Sequence, residues 1–350
     1  MAVIRSNGLD FDVDVHGDPA GTPLLLIMGL GMPSALWPDE FVAALAREGF
    51  RVITFDNRDS GGSTRLEGAP TPNVRRAIFR SLLRRPVSGP YTLDDMAADT
   101  VGILDGLGVG QAHVVGASMG GMIGQMVAAR FPQRVLSLTS IMSNSGNPAR
   151  RYAFGKWKAL RAVTRPPPPP DDYAAVVDHM VFVFGVIGSP GFRDDLPTLR
   201  PVFERVARRG LYREGTERQL VAILSTGDRR PLLAGIRAPT LVLHGADDPL
   251  VPPAAGRDSA ANIPGARFEL VPGMGHDFPP ALLTQLAGRI AGHCRAATPV
   301  AAAHVAPSPV AAAPAAPVEV PVAEHPAVPD ARPEPAQAEV ARQSGQTATP

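Results

Sequence analysis

A serine set between glycines, an acidic loop and a histidine in another glycine-rich loop follow one another along this 350-residue chain. Residues of these types, in this order, could carry out acyl transfer. Ser118 lies in Gly116-Ala117-Ser118-Met119-Gly120, which fits G-x-S-x-G, a sharp strand-to-helix turn with serine at its apex. Flanking glycines let neighbouring backbone approach, and a strained serine backbone exposes the hydroxyl at a helix N-terminus, where developing negative charge is favoured. The bland alternative is a glycine-rich turn with an incidental serine.

A serine hydroxyl is a poor nucleophile at neutral pH and needs a base. Among the eight histidines, His304 and His325 fall near the C-terminus and His16 in an early hairpin. His113 and His244 lie in or at the ends of strands, where core or backbone-bonded roles are expected. His179 falls in a helical region and His293 in the last helix. His276 differs: it sits in Val271-Pro272-Gly273-Met274-Gly275-His276-Asp277, a loop just after a strand, where sheet enzymes place catalytic groups. Alone it reads equally as a solvated loop histidine; its place after the serine and the acidic loop selects it as the base.

An acid that orients the imidazole should follow a strand between serine and histidine. Leu241-Val242-Leu243-His244-Gly245-Ala246-Asp247-Asp248-Pro249 meets that demand with two aspartates. Asp248, three residues after Gly245 and before a Pro-Leu-Val-Pro turn, is preferred, leaving Asp247 as a turn or supporting acid. Such a carboxylate holds the imidazole tautomer and stabilises the imidazolium. The tetrahedral intermediate needs donors for its oxyanion. The backbone N–H of Met119 and that of Leu30, in Met28-Gly29-Leu30-Gly31-Met32, are the candidates. The competing reading of the second is a tight glycine turn without a catalytic role.

These loops need a scaffold, and the apolar patterning supplies one. Leu9, Phe11, Val13 and Val15 alternate with polar residues, as in a half-buried antiparallel strand. Leu24–Met28, Arg51–Phe55, His113–Val115, Val135–Ile141, Pro239–Gly245 and Ala266–Val271 read as buried strands. Helical spacing covers Phe41–Arg47, Leu93–Leu107, Met122–Arg130 and Leu282–His293. This alternation predicts an α/β fold with a mostly parallel central sheet flanked by helices. Residues 144–230 break the rhythm with a proline run, Pro166–Pro170, and helical patches. We expect a core of residues 1–143 and 231–296, a helical cap insertion over 144–230, and a disordered Ala/Pro-rich tail over 297–350. In the cap, core packing is the favoured role for Met180, Phe182 and Phe184, with an entrance lining as the alternative.

Composition narrows the function classes. Formal net charge is +1 with 45% apolar residues, so no global field calls for nucleic acid or an anionic membrane. Lysine occurs only at Lys156 and Lys158; arginines cluster at Arg75, Arg76, Arg80, Arg84 and Arg85, read as a solvated helix face. The single cysteine, Cys294, excludes an internal disulfide framework and a Cys-based zinc site. There is no HExxH, P-loop or dinucleotide fingerprint, so neither metal nor cofactor is expected. No stretch reads as a secretory signal or a membrane span, and a cytoplasmic location is expected. Nothing in the sequence speaks to oligomeric state.

With these pieces in place, the sequence resembles the α/β-hydrolase family from about Val3 to His293. Phe55-Asp56-Asn57-Arg58-Asp59-Ser60-Gly61-Gly62-Ser63 is similar to the family's D-x-R-G-x-G-x-S segment, with Asp59 where glycine is usual. Gly-Ala-Ser-Met-Gly-Gly, His-Gly-Ala-Asp-Asp-Pro-Leu-Val-Pro and Gly-Met-Gly-His complete the set. Met28-Gly29 stands where many members have His-Gly, and with Trp37-Pro38-Asp39-Glu40-Phe41 it resembles the aclacinomycin methylesterase branch. The resemblance implies a serine esterase acting on a small-molecule ester through an acyl-enzyme. Acyl transfer to an alcohol and cofactor-free perhydrolase or haloperoxidase chemistry would use the same triad. A ligand-binding receptor that turns over slowly is the rival from outside enzymology.

Overall fold

The computed structural model describes residues 2–153 and 155–297. Among them, eight strands form one sheet: β1 (Ala2–Ser6), β2 (Leu9–His16), β3 (Thr22–Ile27), β4 (Phe50–Phe55), β5 (Ala112–Ala117), β6 (Val135–Ile141), β7 (Thr240–Gly245) and β8 (Arg267–Val271). Their spatial order is β1-β2-β4-β3-β5-β6-β7-β8. The first two strands pair antiparallel, β2 also runs antiparallel to β4, and every later pairing is parallel.

The helices are α1 (Asp39–Arg47), α2 (Val74–Leu82), α3 (Leu93–Gly106), α4 (Met119–Arg130), α5 (Arg150–Ala153), α6 (Trp157–Val163), α7 (Tyr173–Ile187), α8 (Arg200–Arg209), α9 (Arg213–Thr226), α10 (Arg230–Leu233), α11 (Pro253–Ala261) and α12 (Leu283–Ala297). Alternate residues of a strand face opposite sides of the sheet, so β3 serves two cores. Leu25 and Ile27 pack with residues of α3 and α4, whereas Leu24 and Leu26 pack with α1 and α12. The α/β fold with a mostly parallel sheet is therefore as expected, and β5 and β7 are buried along their whole lengths.

The departures are local. Helix α4 starts at Met119, three residues earlier than its apolar spacing suggests, because Ser118 is its N-cap. Helix α3 begins at a capping box in which Thr92 and Asp95 satisfy each other's backbone N–H groups. Helix α11 is absent from the sequence reading. Between β6 and β7 the described residues contain helices and no strand. Met180 is buried there and Phe184 packs beside it, but Phe182 is 44% exposed under the Arg165 guanidinium and is not core. On α2, Arg75 and Arg76 are exposed together with Ile78 and Phe79. Ala297 closes α12, and the rest of the expected tail, 298–350, lies outside the described residues. No helix among the described residues is long and apolar enough to cross a membrane.

Candidate active site

Four loops that leave the carboxyl ends of β3, β5, β7 and β8 carry the residues singled out by sequence. This is the edge of a parallel sheet at which open α/β folds bind ligands. Strand β5 turns at Ser118 (φ 54°, ψ −117°) directly into α4. Positive φ is costly for a serine, and close packing enforces it here. A Cβ on Gly120 would lie 1.9 Å from the Ile27 carbonyl oxygen, and one on Gly116 would lie 2.1 Å from the Gly120 carbonyl oxygen. Glycine is the only residue that fits either place.

His276 Nε2 lies 3.1 Å from Ser118 Oγ, and its Nδ1 lies 2.7 Å from Asp248 Oδ2. An ionised carboxylate only accepts, so Nδ1 carries the proton and Nε2 is left to accept from the serine hydroxyl. Asp248 Oδ1 accepts the backbone N–H groups of Leu250 (2.8 Å) and Val251 (2.9 Å). Burial pushes the Asp248 carboxyl up, but the charge of His276 and hydrogen bonds from His244 and His276 outweigh it and hold it well below the usual carboxylate range. Asp247 instead accepts from the Gly273 N–H at 3.1 Å. The structure thus brings Ser118, His276 and Asp248 into one chain of hydrogen bonds and leaves Asp247 to the loop backbone. His244, read as backbone-bonded, has Nε2 3.0 Å from the Val251 carbonyl oxygen.

The two candidate donors also stand beside the serine. Met119 is the first residue of α4, so its N–H has no partner inside the helix. The turn bearing Leu30 is closed by Met32 N–H donating to the Gly29 carbonyl oxygen, with Gly31 at φ +68°. Gly29 packs on the serine: a Cβ there would lie 3.3 Å from Ser118 Cβ.

Several residues that hold this arrangement were not found by sequence. Asn57 Nδ2 donates to the Met28 carbonyl oxygen at 3.1 Å. Gln219, fully buried on α9, accepts from the Gly31 N–H at 2.7 Å and donates to the Arg58 carbonyl oxygen at 2.8 Å. The histidine loop is held by the C-terminal end of α7 and the segment that follows it. His276 N–H donates to the Ile187 carbonyl oxygen, Gly275 N–H to Ser189 Oγ (2.8 Å each), and Ser189 Oγ–H to Asp277. Burial raises the Asp277 carboxyl despite the Ser189 hydrogen bonds.

The comparisons with known proteins bear on the fold and family of the chain. A model of the alpha/beta hydrolase fold family matches residues 22–180 and 200–279. Rhodomycin D methylesterase DnrP of Streptomyces peucetius is 32% identical over 303 residues, covering 81% of this chain and 94% of that protein. DauP of Streptomyces sp. strain C5, also a rhodomycin D methylesterase, has the same identity and coverage. Among solved structures, the enol-lactonase from Burkholderia xenovorans LB400 superposes with a TM-score of 0.62 at 24% identity, covering 83% of this chain and 99% of that one. The chain belongs to the α/β-hydrolase fold family, among its carboxylic ester hydrolases and close to the aclacinomycin methylesterase branch.

Proposed function

We propose that the protein cleaves carboxylic esters through an acyl-enzyme formed on Ser118. His276 takes the serine proton as Oγ attacks the ester carbonyl, and Asp248 holds the imidazole and stabilises its charged form. The oxyanion is received by the N–H groups of Leu30 and Met119. His276 then returns the proton to the departing alcohol, and a water molecule attacks the acyl-enzyme by the same steps in reverse. The cycle calls on no metal ion or organic cofactor. The observation that carries this reading is the continuous chain Ser118 Oγ, His276, Asp248 at 3.1 and 2.7 Å, at the end of a strained turn beside a free helix N-terminus.

We take the helical stretch 144–230 as a cap that supplies much of the substrate pocket. The two relatives, rhodomycin D methylesterases, make methyl esters the first substrate class to try. The test is hydrolysis of p-nitrophenyl esters of graded chain length, and of bulky methyl esters, by wild type and folded Ser118→Ala. Turnover abolished by the substitution is expected; equal activity in the two proteins would end this reading. Running the same assay with added alcohol or peroxide separates hydrolysis from acyl transfer and perhydrolysis.

A further inference from the structure

The donor peptide of the oxyanion turn, Gly29 C=O to Leu30 N–H, is bracketed by two held neighbours. The peptide before it is fixed through the Met28 carbonyl oxygen by Asn57. The peptide after it is fixed through the Gly31 N–H by Gln219, 188 positions away in the chain. The turn is closed by a Met32-to-Gly29 hydrogen bond. Gly31 alone in the turn has positive φ, as in a type II turn. Turns of types I and II interconvert by flipping their central peptide, here Leu30–Gly31. A flip would turn the Leu30 carbonyl oxygen toward Gln219 Oε1, oxygen against oxygen. Gln219 thus fixes the peptide that follows the donor peptide, whose own Gly29 carbonyl oxygen accepts from Met32 N–H, and its amide orientation is unambiguous because its other end donates to the Arg58 carbonyl oxygen.

The neighbouring residue on α9 explains why Gln219 can be trusted to stay. Arg218 makes two parallel 2.8 Å hydrogen bonds to Asp59. That carboxylate also accepts from Tyr91 Oη at 2.9 Å and the Leu66 N–H at 2.8 Å. Both partners are buried, and such a pair holds only when its lone pairs are satisfied, as here. Asp59 has φ +64°, a conformation in which aspartate is tolerated. The departure from the family's glycine therefore preserves the turn and adds an anchor for α9. Thr216, one helical turn before Gln219, packs onto Gly31 Cα.

We propose that Gln219 is a positioning residue for the oxyanion hole, seated by the Asp59–Arg218 pair and holding the Leu30 N–H toward the tetrahedral intermediate. The proposal rests on ester hydrolysis at Ser118. The test compares full-length wild type, Gln219→Met and Gln219→Glu in p-nitrophenyl ester hydrolysis, inactivation by a fluorophosphonate, and thermal unfolding. Gln219→Met is expected to lower kcat about 10- to 100-fold, with KM within about twofold. Fluorophosphonate inactivation, which develops the same oxyanion, should slow in proportion. Gln219→Glu keeps an acceptor for Gly31 and should recover part of both rates. A folded Gln219→Met with wild-type kcat and inactivation, or with a change in KM alone, overturns the proposal. If Gln219→Met does not fold, Gln219→Asn, a carbon short of Gly31, must show the same loss, and wild-type kcat there overturns it equally. A wild type inert to both ester and fluorophosphonate would remove the Ser118 reading and this role with it. An active wild type, silenced by Ser118→Ala but indifferent to Gln219, refutes this role alone.

Discussion

The Ser118 turn and the loops that face it are built in different ways. Ser118 is held chiefly by close packing of backbone: a buried strand before it, a helix after it, and glycines at Gly116 and Gly120 that admit the Gly120 and Ile27 carbonyl oxygens at 2.1 and 1.9 Å from where a Cβ would be, with the Ser118 N–H donating to the Ile141 carbonyl oxygen. The Leu30 turn and the His276 loop are held by distant side chains and carbonyls, from Gln219 on α9, Ile187 at the end of α7 and Ser189 just beyond it. A serine that must be strained is well served by steric exclusion, which needs no partner that can move. The Leu30 turn and the His276 loop, proposed to carry a donor and a base that face one point, are set by hydrogen bonds from distant segments. The helical stretch between β6 and β7 thus supports both loops.

The largest effect should come from the chain of hydrogen bonds that joins the two kinds of region. Asp248→Asn is expected to lower kcat about 10,000-fold, since the imidazole would adopt the wrong tautomer. Asp247→Asn should stay within about threefold. Equal losses in the two variants, measured side by side on one ester, would undo the choice between them.

Steric exclusion at the elbow is next. Gly120→Ala forces a methyl against the Ile27 carbonyl oxygen and should destabilise by at least about 3 kcal/mol, through overpacking that backbone cannot relieve. Denaturant unfolding of a soluble, active Gly120→Ala with wild-type stability would contradict a sterically built elbow.

A smaller effect is expected from the sheet beneath. His113 is buried beside Ser137. Burial, aided by the charge of His293, lowers its pKa to about 4. The unfolded chain takes up this proton near pH 6.5, the folded one only near 4. Stability is therefore complete above about pH 6.5 and falls as the pH drops toward 4, by about 2 kcal/mol between pH 7.5 and 5. His113→Asn should flatten that dependence in urea titrations at the two pH values; an unchanged slope would show that other groups carry it.

The smallest change falls on the hold of the histidine loop. Ser189→Ala strips the Gly275 N–H and Asp277 of a buried partner, at about 1–2 kcal/mol. The damage should centre on the histidine loop, with hydrogen exchange at Gly275 and His276 rising while the elbow amides keep their protection. Uniformly raised exchange would mean that the two regions are not held separately.

Most of the scaffold and the three hydrogen-bonded residues were legible in the chain. Leu24–Met28 and Val135–Ile141 announce buried strands because apolar runs of that length have to be covered on both sides. G-x-S-x-G announces its turn because the turn excludes any side chain at the glycines. Helix α4's first three residues were missed for the same reason, since Met119-Gly120-Gly121 reads as turn chemistry until Ser118 is known to be its cap. Phe182 misled because an apolar residue on an apolar helix is expected inside; Arg165 covers it at the surface instead.

What the sequence by itself determined was whatever neighbours in the chain decide: strand and helix periodicity, the glycine-enforced elbow, and the order of serine, acid and histidine. Tertiary structure alone decided what Asp59 holds in the place of a glycine, and that Gln219 reaches Gly31 across 188 positions. A hydrogen bond between distant residues leaves no period and no local motif. It exists only once the burial of two apolar faces has brought its ends within 3 Å.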